Sequence, residues 1–322
     1  MRSFFCKIKN ARATAVFITV SVLSILLVLV LFVIGGKDSP VGPFRSDRER
    51  GRVNILLAGR DDTSGLYDAL MLLSFDRDGG SAFVLQIPRD TYAEYTSSSY
   101  KKLNGASAAL GGMDKFLEFA EENMGVELDG YVSFDLDVLS EVVDALGGVV
   151  VDVPDDMYYE DEYQDLRIDL KAGRQRLDGE SAEMLVRYRS GYPRGDIDRL
   201  DVQKLFMRAL FETVKECDSF GLILELLPTL DSFRTDLPFT RICALAYEAR
   251  DIASDRVEFA TLPGREATAT ASGASYYVAD RKKTAEIFES HFGAEADSFD
   301  PRKVFLNGDY REFEDIYYGI GG

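Results

Sequence analysis

The uncharged apolar run Ala13–Gly36 is the feature that most constrains how this chain folds. About 20 consecutive apolar residues are enough for an α-helix to cross a bilayer core. The segment before the run, 1–12, carries basic residues and no acidic one, so the positive-inside rule places the N-terminus in the cytoplasm. A cleaved signal peptide is the alternative, but the following sequence IGGKDSPVGP offers no small-residue cleavage site. We therefore expect a single-pass anchor in the cell membrane, with the rest of the chain extracytoplasmic.

Composition and patterning divide the chain into segments. A polar stretch marked by proline and glycine is typical of a linker, and an acidic, aperiodic C-terminal stretch is typical of a mobile tail. The expected segments are a cytoplasmic basic segment at 1–12, a transmembrane helix at 13–36, a linker at 37–52, a globular domain at 53–294 and an acidic tail at 295–322.

Strand and helix patterns alternate along the expected domain. Val53–Gly59 is a short apolar run that predicts a buried strand. The runs ALMLLSFD and SAFVLQIP, joined by the turn Arg77–Gly80, predict a β-hairpin. Helical spacing follows in 111–125, whereas the acidic segment 155–173 predicts no regular structure and 220–237 continues a helical pattern. The alternation predicts an α/β fold whose mixed sheet is covered on both faces.

Charge and residue types narrow the possible functions. The formal net charge of −18 excludes a general nucleic-acid binder, because such a protein needs a broad basic field. A local anion site is compatible with that charge. His291 is the only histidine. The chain therefore has too few histidines for a zinc site built on histidine ligands, and only one candidate for the histidine of a catalytic triad. Cys217 and Cys243 either form a disulfide or remain two buried thiols, since each falls in a helical pattern.

Arginines concentrate in the segment RYRSGYPRGDIDR. Arg187 and Arg189 lie at the end of a predicted helix, where cations also stabilise the exposed carbonyl groups. Arg194 and Arg199 follow across a Gly/Pro loop, and guanidinium groups so close together repel one another unless anions compensate. Gln203 comes one helical turn after Arg199, so both side chains can point the same way. The segment predicts a site for a polyanionic ligand.

Further basic side chains follow the predicted β-hairpin. Arg89 comes directly after its second strand, and it either presents a donor fork to phosphate or forms a surface ion pair with Asp90. Lys102 and Asn104 lie in the next loop. Each of these signals is weak alone, and together with the arginine-rich segment they indicate one anion site.

Carboxylates surround the first strand end. Asp61 and Asp62 follow the strand, and Asp68 is expected in the same loop. Such carboxylates either hold Mg²⁺ together with substrate phosphates or only solvate and cap the loop. No G-x-x-x-x-G-K-[ST] motif is present, so nucleotide hydrolysis is not expected. The chain thus combines carboxylates with several arginines and has no nucleophile motif, a set of residues that predicts a pyrophosphate site. Phosphoryl transfer can proceed there because it needs mainly positioning and charge neutralisation.

An ordered series of segments between Val53 and Leu262 resembles the LytR–CpsA–Psr family. The segments are NILLAGRDD, YDALML, IPRDTY, KLNGASAALGG, VVDALGGVVVDVP, LKAGRQRLDGESAEMLVRYR and RGDIDRLDVQ. The resemblance implies a three-layer α/β/α sandwich with a central mixed sheet, preceded by one N-terminal transmembrane helix. It also implies a phosphotransferase that moves polyprenyl-pyrophosphate-linked glycopolymers, such as wall teichoic acid or capsule, onto peptidoglycan or another wall acceptor. The implied partners are that lipid-linked polymer, peptidoglycan and membrane lipid, with no nucleic acid.

The resemblance assigns roles to individual residues in the matching segments. Mg²⁺, with Mn²⁺ as a possible substitute, is expected at Asp61 and Asp68. The expected pyrophosphate clamp and catalytic residues are Arg89, Arg187, Arg189 and Arg199, and the expected substrate-binding residues are Lys102, Asn104 and Gln203.

The chain departs from the family pattern at three positions. Leu66 and Val202 stand where basic residues are usual, and Gln86 stands where serine is usual. Two alternatives therefore stay open: a polyprenyl-pyrophosphate hydrolase, and a non-catalytic protein that binds the lipid carrier or regulates wall assembly. Asp62 and Asp90 both remain candidates for the general base. A prenyl chain is expected to enter among apolar segments such as SAFVLQI and FDLDVLSEVVDAL, unless these simply form a packed core.

Overall fold

The computed structural model covers most of the expected domain. It describes residues 51–60, 65–95, 101–135, 138–161, 166–192, 196–216, 232–249, 252–270 and 272–294. Outside these ranges lie the segments 1–12, 13–36 and 37–50, the tail 295–322, the residues Asp61, Asp62, Arg194 and Cys217, and the side chain of Cys243. Within the described ranges, no helix is both long and apolar enough to cross a membrane.

Strands and helices follow one another along the described chain. The strands are β1 (Arg52–Arg60), β2 (Tyr67–Asp76), β3 (Ser81–Ile87), β4 (Gly130–Asp135), β5 (Val149–Val153), β6 (Met157–Asp161), β7 (Leu166–Leu170), β8 (Gly173–Leu177), β9 (Phe233–Thr235), β10 (Val257–Thr261), β11 (Gly264–Thr268) and β12 (Ser275–Ala279). The helices are α1 (Ala106–Leu110), α2 (Met113–Met124), α3 (Val138–Ala145), α4 (Gly179–Arg187), α5 (Asp196–Glu216), α6 (Phe239–Ala249) and α7 (Arg281–Ile287).

A mixed six-stranded sheet forms the centre of the fold, in the order β10-β3-β2-β1-β4-β9. β1 is antiparallel to β2 and parallel to β4, while β3 is antiparallel to β2 and parallel to β10. The strands β1, β3, β4 and β10 therefore run in one direction and end at the same edge of the sheet. In open α/β sheets, ligands commonly bind in the crevice outside the carboxyl ends of such strands.

Helices cover both faces of the sheet, which explains why every residue of β1 between its two ends is buried. On one face, which we call the α5 face, Leu57 and Met71 pack in a core with Phe206 of α5. On the opposite face, Leu56 packs in a second core with Phe116 of α2. The predicted α/β fold, with a mixed sheet covered on both faces, is confirmed.

Local turn and helix-end signals are also confirmed. The β2–β3 hairpin turns at Arg77–Gly80, where Gly80 has a φ of +60°, a left-handed conformation that glycine adopts without strain. Helix α2 is followed by Gly125 with a φ of +66°, whose N–H donates to the carbonyl of Glu121. These boundaries are set by residues adjacent to them in the chain.

Three local predictions were wrong. The segment 155–173, expected to be irregular, contains the antiparallel hairpin β6–β7 and the start of β8. Ile168 is buried and Asp169 exposed, so the period-two pattern exists, but acidic residues on the solvent side obscure it. Residues 233–235, expected to be helical, form β9, because they pair with β4 at the edge of the sheet. Asp68, expected in a loop, lies within β2.

The only histidine links the stability of this fold to pH. His291 stacks on Phe83 with ring centroids 3.7 Å apart. Burial lowers the pKa of His291 below its ordinary value of 6.5; Glu258 opposes this shift and Arg52 adds to it. Because the unfolded chain then takes up the proton at a higher pH than the folded chain, stability present above pH 6.5 is lost as the pH falls through that value.

We expect the Tm of the full chain to fall when the pH is lowered from about 7.5 to about 6, a window in which carboxylates are still ionised. His291→Phe keeps an aromatic ring on Phe83 but removes the titrating group, so its Tm should change little in that window. Differential scanning calorimetry of both proteins tests this. An equal fall of Tm in the variant would show that another group is responsible.

Candidate functional site

Arg89 lies just beyond the carboxyl end of β3 and is held by a buried carboxylate. Its Nη1 is 3.2 Å from Oδ1 of Asp68, whose side chain is 0% exposed, while the side chain of Arg89 is 15% exposed. Asp68 lies near the start of β2, opposite a register shift in β1 between Gly59 and Arg60. The carboxylate thereby limits the directions in which this guanidinium group can point.

A pocket at this edge of the sheet, which we call the arginine pocket, brings distant parts of the chain together. It is a narrow cleft, and its polar lining consists of Asp68, Gln86, Arg89, Arg199 and Gln203. Arg199 and Gln203, one turn apart on α5, are only 4% and 2% exposed. The two guanidinium groups on this pocket form a donor set suited to a phosphate-bearing ligand.

Arg187 is the last residue of α4 and is not among the residues that line this pocket. Its Nη1 is 3.5 Å from Oε2 of Glu183, one helical turn earlier, and its side chain is 11% exposed. Nε2 of Gln203 donates a hydrogen bond to the carbonyl of Val186, so the backbone next to Arg187 is attached to a pocket residue. Arg189, by contrast, follows the helix end and is exposed. Of these two expected clamp residues, Arg187 is therefore partly buried next to a backbone group that a pocket residue holds, whereas Arg189 is exposed.

Lys102 and Asn104 pack against the loop that carries Arg89. Nζ of Lys102 is 3.0 Å from Oδ1 of Asp90, and the same oxygen is 3.9 Å from Nε of Arg89. The backbone N–H of Asn104, a buried residue, donates to the carbonyl of Arg89. These two residues support the Arg89 loop and are not among the residues that line the arginine pocket.

The sequence analysis missed several polar residues at this edge. Gln86 was noted only as a departure from the family pattern, although it lines the pocket. Arg60 and Asp135 end β1 and β4, and Nη2 of Arg60 is 3.1 Å from Oδ1 of Asp135. Their positions at strand ends were the signal that could have identified them. Val202, another departure from the family pattern, is buried in the core of the α5 face and does not line the arginine pocket.

The carboxylates suit a magnesium ion only in part. Asp68 is one buried carboxylate at the pocket, and Asp61 lies outside the described residues. Within the part of the chain that the structure describes, no group of three or more His, Cys, Asp or Glu residues is arranged to hold a metal. Mg²⁺ needs only one or two protein carboxylates when substrate phosphates and water complete its shell. The carboxylate of Asp68 is therefore a suitable ligand for Mg²⁺ that is bound together with a phosphate group.

An apolar cavity lies on the same side of β3 as the arginine pocket, and the two share no lining residue. The cavity lies between the sheet and helices α5 and α6 and has an entirely apolar lining. Ala82 and Val84 line the cavity, and Gln86, next on the same side of the strand, lines the arginine pocket. Of the two segments considered for a prenyl chain, SAFVLQI contributes to this lining, whereas FDLDVLSEVVDAL does not.

Similar proteins are found among known families and structures. The model of the LytR_cpsA_psr family matches residues 35–292. The polyisoprenyl-teichoic acid–peptidoglycan teichoic acid transferase TagV of Bacillus subtilis is 29% identical over 233 residues, 68% of this chain and 59% of TagV. The transferase TagU of Oceanobacillus iheyensis is 27% identical over 240 residues, 72% of each chain. The crystal structure of B. subtilis TagV shares the fold, with a TM-score of 0.61 and 24% identity over 79% of this chain and 99% of that one. The match to the full TagV sequence therefore spans less than two thirds of that protein.

Removing one partner of the Asp68–Arg89 pair should destabilise the protein strongly. We expect Asp68→Ala to lower the free energy of unfolding by about 3 kcal/mol, because it leaves a largely buried guanidinium group without this carboxylate. The matched control is Asp169→Ala, which breaks an exposed pair with Arg167 and should cost less than about 1 kcal/mol. Urea denaturation of both variants measures the difference. Equal losses would mean that burial adds nothing to the Asp68 contact.

Proposed function

Because this chain belongs to the LytR–CpsA–Psr family, we propose that it is a membrane-anchored phosphotransferase that attaches an anionic glycopolymer to the cell wall. The donor is a polyprenyl-pyrophosphate-linked polymer, the acceptor is peptidoglycan or another wall polymer, and the released product is polyprenyl phosphate. The names of TagV and TagU, which describe teichoic acid transfer from a polyisoprenyl carrier to peptidoglycan, support this proposal.

One observation carries the proposal: a cationic pocket and an apolar cavity follow one another along one side of β3. A polyprenyl diphosphate has the same two parts, a doubly phosphorylated head and a long apolar tail. Burying the tail contributes roughly 25 cal/mol for each Å² removed from water, and the arginines supply charge-assisted hydrogen bonds to the head. A soluble sugar nucleotide would use only the polar half of this arrangement.

The reaction needs positioning and charge stabilisation more than covalent catalysis. The acceptor hydroxyl oxygen bonds to the phosphorus that carries the polymer, while the bond from that phosphorus to the bridging oxygen breaks and polyprenyl phosphate leaves. Arg89, Arg199 and Arg187 stabilise the charge that develops on the phosphate oxygens. The hydroxyl proton passes to a base, for which Asp62 and Asp90 are the candidates.

Mg²⁺ is proposed as the cofactor, held by Asp61 and Asp68, where it would neutralise phosphate charge. The proposed anchor is the helix at 13–36, which places the catalytic domain outside the cytoplasmic membrane. The prenyl tail of the substrate then starts in the same membrane that holds the protein, so the donor does not have to leave the lipid phase completely.

A transfer assay tests the proposed function. The full chain in detergent is incubated with a synthetic polyprenyl-pyrophosphate-linked saccharide, peptidoglycan and Mg²⁺, and the products are read by mass spectrometry. We expect polyprenyl phosphate together with saccharide phosphate joined to peptidoglycan. Release of polyprenyl phosphate at the same rate without peptidoglycan would favour the hydrolase alternative. Tight binding without turnover would favour a carrier-binding or regulatory protein.

Arginine variants test the assignment of the donor site. Arg187→Ala and Arg89→Ala should each weaken the binding of farnesyl pyrophosphate by about tenfold or more, since each removes a charge-assisted hydrogen bond. Arg174→Ala, which removes an exposed arginine on β8 away from the pocket, is the control and should bind normally. Isothermal titration calorimetry measures the affinities, and circular dichroism checks that each variant is folded. Unchanged affinity in both site variants would count against the donor site.

A further inference from the structure

Gln86 of β3 and Gln203 of α5 form a buried hydrogen bond to which no role has been assigned. Nε2 of Gln86 donates to Oε1 of Gln203 at 2.8 Å, and each residue is only 2% exposed. Nε2 of Gln203 donates in turn to the backbone carbonyl of Val186 at 3.1 Å. Oε1 of Gln86 accepts a longer bond, 3.5 Å, from the hydroxyl group of Thr261. One line of hydrogen bonds therefore joins β10, β3, α5 and the end of α4.

The direction of this line is fixed at one end by Val186. A backbone carbonyl can only accept a hydrogen bond, so Gln203 must turn its NH₂ group towards Val186 and its oxygen towards Gln86. Gln86 must then offer its own NH₂ group to that oxygen. An amide meets this requirement because it carries a donor and an acceptor, whereas a carboxylate of the same shape offers only acceptors.

The line ends beside the clamp. Val186 directly precedes Arg187, while Gln86 and Gln203 both line the arginine pocket with Arg89 and Arg199. We propose that Gln86 is a positioning residue: it orients the amide of Gln203, which holds the end of α4 and thereby sets Arg187 relative to the pocket arginines. The part of this inference that concerns the ligand rests on the proposed function, whereas the orientation of Gln203 does not.

A double-mutant cycle that measures ligand affinity separates this positioning role from simple packing. Gln86→Met keeps the length of the side chain but removes both hydrogen bonds, so the affinity for farnesyl pyrophosphate should fall about tenfold. If Gln86 acts through Gln203, the same change should cost less than about twofold in a Gln203→Met background, because the partner is already lost. Leu85→Met, a volume-conserving change at the adjacent buried residue on the opposite side of β3, should retain normal affinity. The full chain in detergent is used throughout.

Gln86→Glu gives a readout that packing alone does not produce. At pH 8 the carboxylate cannot donate to Gln203 and adds negative charge to the pocket, so we expect binding at least about tenfold weaker than normal. Burial raises the pKa of such a carboxyl group, and its protonated form can donate a hydrogen bond again. The ratio of the wild-type affinity to the variant affinity should therefore shrink as the pH is lowered to about 5.5.

Hydrogen–deuterium exchange without any ligand separates this inference from the proposed function. Gln86→Met, Gln203→Met and the double variant should all raise amide exchange at 184–188 to a similar extent, and Leu85→Met should not. Failure of the wild-type chain to bind farnesyl pyrophosphate would refute the proposed function, and the exchange data would still decide the role of Gln86. Normal exchange at 184–188 in Gln86→Met, or equal losses of affinity with and without Gln203, would overturn the positioning role.

Discussion

The buried contact between Asp68 and Arg89 is the interaction on which the arrangement of the site depends. A guanidinium group at the end of a strand would otherwise extend into water, where the dielectric constant weakens its attraction for an anion. A fully buried carboxylate 3.2 Å away holds it against the sheet. Arg187 also contacts a carboxylate, that of Glu183 at 3.5 Å, but the side chain of Glu183 is 25% exposed. Both contacts restrain a cation before any ligand arrives, and such preorganisation favours the proposed phosphoryl transfer.

The sheet adds a second constraint, because side chains on one side of a strand follow one another in order. Along β3, Ala82 and Val84 face an apolar cavity and Gln86 faces the arginine pocket. This order matches the order of the apolar tail and the anionic head in the proposed donor. The net charge of −18 does not conflict with an anion site, since local geometry and burial decide the field inside a pocket.

The sequence predicted what depends on neighbouring residues and missed what depends on pairing between distant ones. The buried run Val53–Gly59, the β2–β3 hairpin and the end of α2 follow from apolar periodicity and glycine, which act locally. The Arg60–Asp135 pair was missed because only the strand order β1–β4 makes these residues neighbours. The same holds for Gln86 and Gln203, which are 117 residues apart. The convergence of Arg89 and Arg199 was expected from the combined basic segments and from the family resemblance, and not from any spacing in the chain.

The most direct test of this account is an experimental structure of the chain with a prenyl thiopyrophosphate, a slowly reacting donor analogue. The account predicts that the diphosphate group lies within hydrogen-bonding distance of the guanidinium groups of Arg89 and Arg199, with the prenyl tail between the sheet and helices α5 and α6. A diphosphate bound at another surface, with the arginine pocket filled only by solvent, would contradict the account.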